Sequence, residues 1–556
     1  MKNIFLFHLL FIFIKTSVGQ TYVNGFISAN TTWNLVGSPY IVNGNALLSN
    51  GNTLTIEPGV IVKFDNDKAL QIDGKLIAVG TPLNRIIFTS NQAVPSAGDW
   101  GKIHFPDLCE DAVLDAQGNY LSGSIMKYCD VRYGGGLGFG EIHIEASTPY
   151  FSECRITQSS SSGFYSGTGD FSIDSSLISD CQDYGIYYLS YSLTSHDIFF
   201  RNDSILNNIN GGIFLGSGGG SDPYYFRINK CTFLNNLNDG AISAPNYSHR
   251  NLLIEENHFE SNENAITGTG FEKTSISCNH FIANTENVIN LSNYSSSGSI
   301  SHNIFNANSG TLSMIQIQNT QATLFIGRTY ITDNVLTNNS YASCCLRYHP
   351  RMDNDQLIQI MNNNFENNNT PKIISIDNSN APPGTYDFIK MKYNSFSNPL
   401  AQYELHNNIP YGSSNMTVDS NYWGTTVTAH IDSVIYDYFD FANQSVVYYQ
   451  PILNSPIEAN TNCIPFGSNV NENRNRLVLS SAFPNPFPES TTIRFAIGLQ
   501  DATFMLFNSL GQNVKTENYK LVTEIHFSRK NLPDGIYFYS VIEQNGLMSS
   551  GKLIIR

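Results

Sequence analysis

The stretch "YHPRMDNDQ" at 348–356 sets a guanidinium, Arg351, two residues ahead of one carboxylate, Asp353, with a second, Asp355, two further on. A base beside paired acids is what uronate lyase chemistry asks for. A cation held by oxygen ligands neutralises the sugar carboxylate while Lys or Arg takes the adjacent proton. "FDNDK" at 64–68 repeats the ingredients with Asp65, Asp67 and Lys68. Two acids and one Asn fall well short of the six or more oxygens that calcium takes. Ca2+ therefore stays open as an option, and no cofactor is expected. Glycosidic hydrolysis needs two opposed carboxylates, and Asp170, Asp174, Asp180, Asp183, Asp197 and Asp203 are candidates. Asp is also an ordinary bend residue, which accounts for them more simply. The third chemistry is binding without turnover. Tyr187, Tyr188, Tyr191, Tyr224 and Tyr225 crowd one region, and an exposed Tyr offers a sugar ring a flat apolar face with a polar tip. Adjacent residues alternate sides on a strand, so part of this set must face outward.

These residues sit inside a repeat. "NHFESN", "NHFIAN", "NIFNAN" and "NNFENN" align on an Asn two positions before an apolar anchor. The aligned positions are Cys129, Cys154, Ser175, Asp203, Cys231, Asn257, Asn279, Asn303, Asn334, Asn363, Asn394 and Asn421, at steps of 21–31 residues. From Asp203 to Asn363 the position five further on is always Asn. Such a period, with apolar spacing of two and many Asn, Gly and Ser, excludes helical repeats and predicts a solenoid of short strands and bends. Equivalent residues then stack about 4.8 Å apart. Phe on Phe fills the bore, and Asn on Asn pairs amide to amide along the stack. Asn also tolerates the left-handed backbone of the bends. "LTIEPGVIVKF" and "LQIDGKLIAVG" (54–64 and 70–80) read as early coils, and residues 21–50 as a cap over the open end.

Charged residues are only 14% and the net charge is -16, with no Lys/Arg run. Nucleic acid needs clustered cations, so it is excluded as a partner. Residues 1–19 have the layout of a signal peptide: Lys2, an apolar run from Ile4 to Ile14, then Ser17 and Gly19. No later run is long enough to span a bilayer. Of nine cysteines, Cys129, Cys154 and Cys231 fall on a repeat position and are expected inside. Cys344 and Cys345 bond to each other or to neither, and the odd count leaves at least one free.

Phrases such as "LTIEPGVIVKF", "GKLIAVGT" and "SNYWG" resemble those of right-handed parallel β-helix proteins of the pectin-lyase-like superfamily over about residues 50–455. Hydrolases of that superfamily carry Asn-x-Asp, Asp-Asp, Gly-His-Gly and Arg-x-Lys elements; no Gly-His-Gly and no complete set occurs here. A second resemblance is to the C-terminal sorting domain of the type IX secretion system. "FPNPFPESTTIRFAI", "FNSLGQNV", "LPDGIYFYSV" and "GKLIIR" carry it, at Pro484, Asn485, Pro486, Phe487, Gly511, Gly535, Tyr537, Gly551 and Lys552. It implies a small β-sandwich, passage through the outer membrane by the type IX machinery, and removal of the domain with release or surface attachment.

The expectation is an all-β chain: signal peptide 1–19, right-handed parallel β-helix 20–455 with its cap, linker 456–476 and sorting sandwich 477–556. Its expected role is a secreted or surface-attached protein that contacts extracellular polysaccharide without catalysis. The alternatives are a divergent polysaccharide lyase or glycoside hydrolase, and a structural or adhesive stalk.

Overall fold

The computed structural model describes residues 19–556 apart from 116, 191–196, 218–223, 246–249, 270–272, 293–297, 319–327, 350–356, 378–388, 413–414, 462, 464–479, 500, 509–512, 521 and 544–547. Two compact units divide the chain, 1–463 and 464–556. The signal segment, Arg351, Asp353, Asp355, Tyr191, Gly511 and most of the expected linker lie outside the described residues.

The first unit is a parallel β-helix. Each coil gives one strand to a 14-stranded sheet and two to a 29-stranded sheet, and the coil-to-coil pairings are parallel. The phrase Asn-x-Phe is the bend and first strand of the larger sheet. Phe233, Phe259, Phe281 and Phe305 pair in register and stack with ring centroids 4.8 Å apart. All are fully buried, and each contributes about 1.5–3 kcal/mol by leaving water. Leu336 interrupts the column, which resumes as Phe365, Phe396 and Trp423. Within residues 21–50, expected as a cap, the chain already runs in coil register: Thr21–Ile27 pairs parallel with Tyr40–Leu48.

Two buried asparagine ladders flank the Phe column. In the first, each Nδ2 from Asn257 through Asn279, Asn303, Asn334, Asn363 and Asn394 donates to the Oδ1 of the next at 2.9–3.0 Å, ending on Asn421. That Oδ1 also accepts the backbone N–H of the Asn below it. The second ladder runs Asn208, Asn236, Asn262, Asn284, Asn308, Asn339, Asn368 and Asn398. Glu404 terminates it, taking Asn398 N and Nδ2 at 3.0 and 2.8 Å. Burial holds the Glu404 carboxyl up at about 7.

Two details differ from the sequence reading. The aligned pair in the coil at 175–178 is Ser176 and Ile178, not Ser175 and Leu177: Ile178 pairs with Ile156 and Ile205 and is fully buried. The left-handed residue is not the ladder Asn but the one immediately before it; it is Asn, as expected of the bends, at Asn207, Asn235, Asn338, Asn362 and Asn367, and another residue at Cys278, His302, Tyr393, Ala283 and Ala307. Such a conformation costs a side-chain-bearing residue about 1–2 kcal/mol, which the buried amide pairs next to it offset.

Beyond the last coils the chain turns back. Ile457 exchanges hydrogen bonds with the Ser395 hydroxyl, and Cys463 forms a disulfide with Cys278. The remaining seven cysteines are free and buried, Cys344 and Cys345 among them.

Candidate functional site

A strand whose Ile residues fill the bore must turn the residue between them outward. In the second strand of each coil of the large sheet, those outward residues pair in one unbroken register. The column is Gln71, His104, His143, Tyr165, Tyr187, Phe214, Ser243, Thr267, Asn290, Gln316, Arg347, Ser375, His406 and Tyr436. None is aliphatic. At about 4.8 Å a step it extends about 60 Å. Beside it, two residues further along each strand, lies a shorter polar column: Thr269, Ser292, Gln318 and His349. The Thr269 and Ser292 hydroxyls are 3.0 Å apart.

The strip has four zones. At its amino-terminal end His143 lies between His104 and Phe139, with centroids at 4.6 and 5.1 Å. Lys102 Nζ sits 2.6 Å from His143 Nδ1, and His104 Nε2 is 3.3 Å from Glu145 Oε2. Burial, with the Lys102 charge second, pushes His143 down to about 3, and burial lowers Lys102 as well. Next come Tyr165, Tyr187 and Phe214, stacked at 5.3 and 4.6 Å and nearly parallel. Their faces are mostly spent on one another, leaving ring edges to solvent. The middle zone, Ser243 to Gln316, is uncharged and hydrogen-bonding. At the far end, a cavity of about 460 Å³ is lined by Arg347, His349, Asp377, Asn408, Pro410, Asn443 and Gln444. Arg347 Nε meets Asp377 Oδ2 at 2.6 Å, and Asn408 Nδ2 donates to Asp377 Oδ1 at 2.7 Å. Tyr411, 67% exposed, follows Pro410.

Among the described residues, the tyrosine set divides between the two sheets. Tyr187 is on the strip. Tyr188 points into the bore, where it is fully buried and donates to Asp170; alternation along the strand forces this. Tyr224 and Tyr225 belong to strand Tyr224–Asn229 of the other sheet. The candidate acids are dispersed too. Asp174 pairs with Arg201 at 2.7 Å, Asp183 accepts from Ser162 and Asn210, and Asp203 occupies a ladder position, accepting Ser176 N at 2.9 Å. Asp170 lines a separate cavity of about 420 Å³ with Asp111, Asp115, Tyr150 and Phe199. Among the described residues, no third metal-ligating group joins Asp65 and Asp67. The sequence reading missed the strip, although its signal is present: "AISA", "AITGT", "VINLS", "MIQIQ" and "CLRYH" each set one polar residue between apolar ones just after the second ladder.

In the second unit a three-stranded and a four-stranded antiparallel sheet share a core of Phe487, Ile493, Phe504, Phe527, Tyr537, Tyr539 and Leu553. Asn485 clamps the last strand: its Nδ2 donates to Lys552 O at 2.7 Å and its Oδ1 accepts Ile554 N at 2.8 Å. Phe487 N donates to Ile554 O. The Tyr537 hydroxyl donates to Pro533 O at 2.9 Å. Gly551 lies across from Tyr539, where a Cβ would strike the ring. Pro484, Pro486 and Lys552 are exposed, while Gly535 pairs with Ile555.

Residues 481–556 match the secretion system C-terminal sorting domain, and residues 25–137 match the pectate-lyase-like β-helix domain. The chain joins a β-helix to a sorting domain. The sorting domain marks it for export by type IX secretion to the cell surface or beyond. Among the described residues, no helix is long and apolar enough to cross a membrane. A curated relative, the protein bark beetle of Drosophila melanogaster, is 40% identical over 76 residues, which is 14% of this chain and 2% of that protein. The periplasmic alginate epimerase AlgG aligns at a TM-score of 0.22 and 10% identity, over 72% of this chain and 77% of its own. The receptor-binding domain of the siphovirus 9NA tailspike aligns at 0.20 and 8%, over 96% and 95%. Scores this low carry nothing toward a ligand or an activity.

Proposed function

We propose that this exported β-helix binds one extended, largely uncharged polysaccharide chain along the outer strip, without turning it over. The observation that carries this reading is the register column from Gln71 to Tyr436, free of aliphatic side chains and edged by Thr269, Ser292, Gln318 and His349. Amides, hydroxyls, imidazoles and a guanidinium are the groups that pair with sugar hydroxyls. The coil spacing of about 4.8 Å is close to the length of one pyranose, so successive sugars meet successive coils. A net charge of -16 disfavours polyanions.

The test is a polysaccharide array probed with the purified chain and with Asn290→Ala/Gln316→Ala. Binding to a neutral polymer that the double variant weakens at least about tenfold, a cost of about 1.4 kcal/mol, supports the reading. The same polymers are assayed for new reducing ends and unsaturated products. Cleavage would replace the binding reading with a lyase or hydrolase.

A further inference from the structure

Among the described residues, one group of three metal-ligating side chains has its ligand atoms mutually within 4.8 Å: His104, His143 and Glu145. The fold puts them together. His104 and His143 are paired residues on adjacent coils, so their rings rise from the sheet one above the other. Glu145 follows His143 by two and returns to the same face, its Oε2 3.3 Å from His104 Nε2. Phe139 packs on the outer side of His143 and fixes that ring's plane.

The set already holds a cation. Lys102 is two residues before His104, lies over Phe139 at 5.2 Å and reaches His143 Nδ1 at 2.6 Å. An ammonium next to an imidazole lone pair is placed where a metal ion would be.

We propose that His104, His143 and Glu145 form a site for a divalent transition metal of the zinc or copper class, with Lys102 as a built-in competitor that fills it when metal is absent. Two imidazoles and one carboxylate suit these borderline ions, while hard cations such as calcium want oxygens alone. The rings stack at 4.6 Å. Two nitrogens each about 2.0–2.1 Å from one tetrahedral ion sit closer together than that, so the ring edges must tilt toward each other by about 1 Å. Lys102 swings out as they do, and Glu145, whose side chain is 56% exposed, is free to follow the ion. The remaining positions open to the strip and take water. Nothing in this assignment depends on a glycan.

The test is calorimetric titration of Zn2+ alone, and separately of Cu2+ alone, into the tag-free, chelator-washed full chain. One equivalent is expected to bind. Outer-shell partners of metal ligands are worth about 10–100-fold in affinity, so His104→Ala should lose at least about 100-fold and Glu145→Gln at least about tenfold. Lys102→Met should bind more tightly than the parent chain. Glu145 is exposed, so Glu145→Gln keeps the test valid should His104→Ala misfold; circular dichroism checks each variant. Absence of stoichiometric binding to either ion, or binding that Glu145→Gln and His104→Ala leave unchanged, overturns the site. A Lys102→Met chain that binds no tighter overturns the competitor role.

Discussion

Asn303→Ala cuts the first ladder at its middle. Asn303 Oδ1 accepts Asn279 N at 2.9 Å and Asn279 Nδ2 at 3.0 Å, and Asn303 Nδ2 donates to Ile276 O at 2.8 Å and Asn334 Oδ1 at 3.0 Å. The three asparagines are fully buried, so water does not replace what is lost. Asn279 Nδ2 keeps Ile254 O and Ser277 O, and Asn334 Oδ1 keeps Asn303 N. The donor left alone is the Asn279 N–H. An unpaired buried donor costs about 1–3 kcal/mol, and the three other bonds are worth roughly 0.5–1.5 each, so the loss is about 2.5–7.5 kcal/mol. Asn338→Ala is the matched control. Asn338 is exposed and left-handed, and its side chain donates through Nδ2 to Asn306 Oδ1 at 3.0 Å. Its loss should stay below about 1 kcal/mol. Urea unfolding gives the difference, and hydrogen exchange of peptides spanning 277–305 localises it, which matters because long repeat arrays depart from two-state behaviour. A shift below about 1 kcal/mol for Asn303→Ala, or one no larger than that of Asn338→Ala, would refute the ladder as the source of stability.

Three further perturbations act on a buried acid, a disulfide and the clamp of a strand. Glu141 is fully buried, its Oε1 accepts Gly134 N at 2.9 Å, and burial lifts its carboxyl to about 8. The folded chain therefore keeps a proton that the unfolded chain releases near 4.5. Stability from this group is complete below that pH and is lost as pH rises through about 8, by at most about 5 kcal/mol; Glu141→Gln should flatten urea midpoints measured between pH 5 and 8. Cys278→Ser opens a loop of 185 residues closed by the disulfide. It should cost up to about 5 kcal/mol and expose residues 457–461 to limited proteolysis while the coils stay resistant. Asn485→Ala removes both side-chain bonds to the last strand of the sandwich. It should destabilise that unit by about 1–3 kcal/mol and lower the exported fraction, read by immunoblotting of cell and medium.

The fold was legible because each coil repeats the same constraint. A stacked position tolerates only what can pair with its own copy, and Asn257, Asn279 and Phe259, Phe281 announce that in plain spacing. The Ser175 slip arose because Ser175 and Ser176 are the same residue type, while only the strand pairing shows that Ile178, not Leu177, faces the bore. The second ladder passes to Asn398, four rather than five residues after Asn394, because the bend before it is one residue shorter. The disulfide escaped notice because Cys278 and Cys463 are brought together by a chain reversal that leaves no periodic mark. The site was less legible. Clustering in sequence favoured Tyr187 with Tyr188, and Tyr224 with Tyr225, but a strand sends neighbours to opposite sides and a coil sends them to different sheets. The strip is assembled from residues about two dozen apart, and Lys102, His104, His143 and Glu145 converge across an interval of some forty residues.

The dependence of affinity on oligosaccharide length tests the binding strip most directly. Fragments of the neutral polysaccharide that binds best on the array are titrated in steps of one sugar. If successive coils contact successive sugars, affinity climbs with each added residue until the chain outgrows the column of about 60 Å, and Asn290→Ala/Gln316→Ala flattens the climb. Affinity that is already maximal with one or two sugars, and indifferent to that double variant, would contradict the strip as the site.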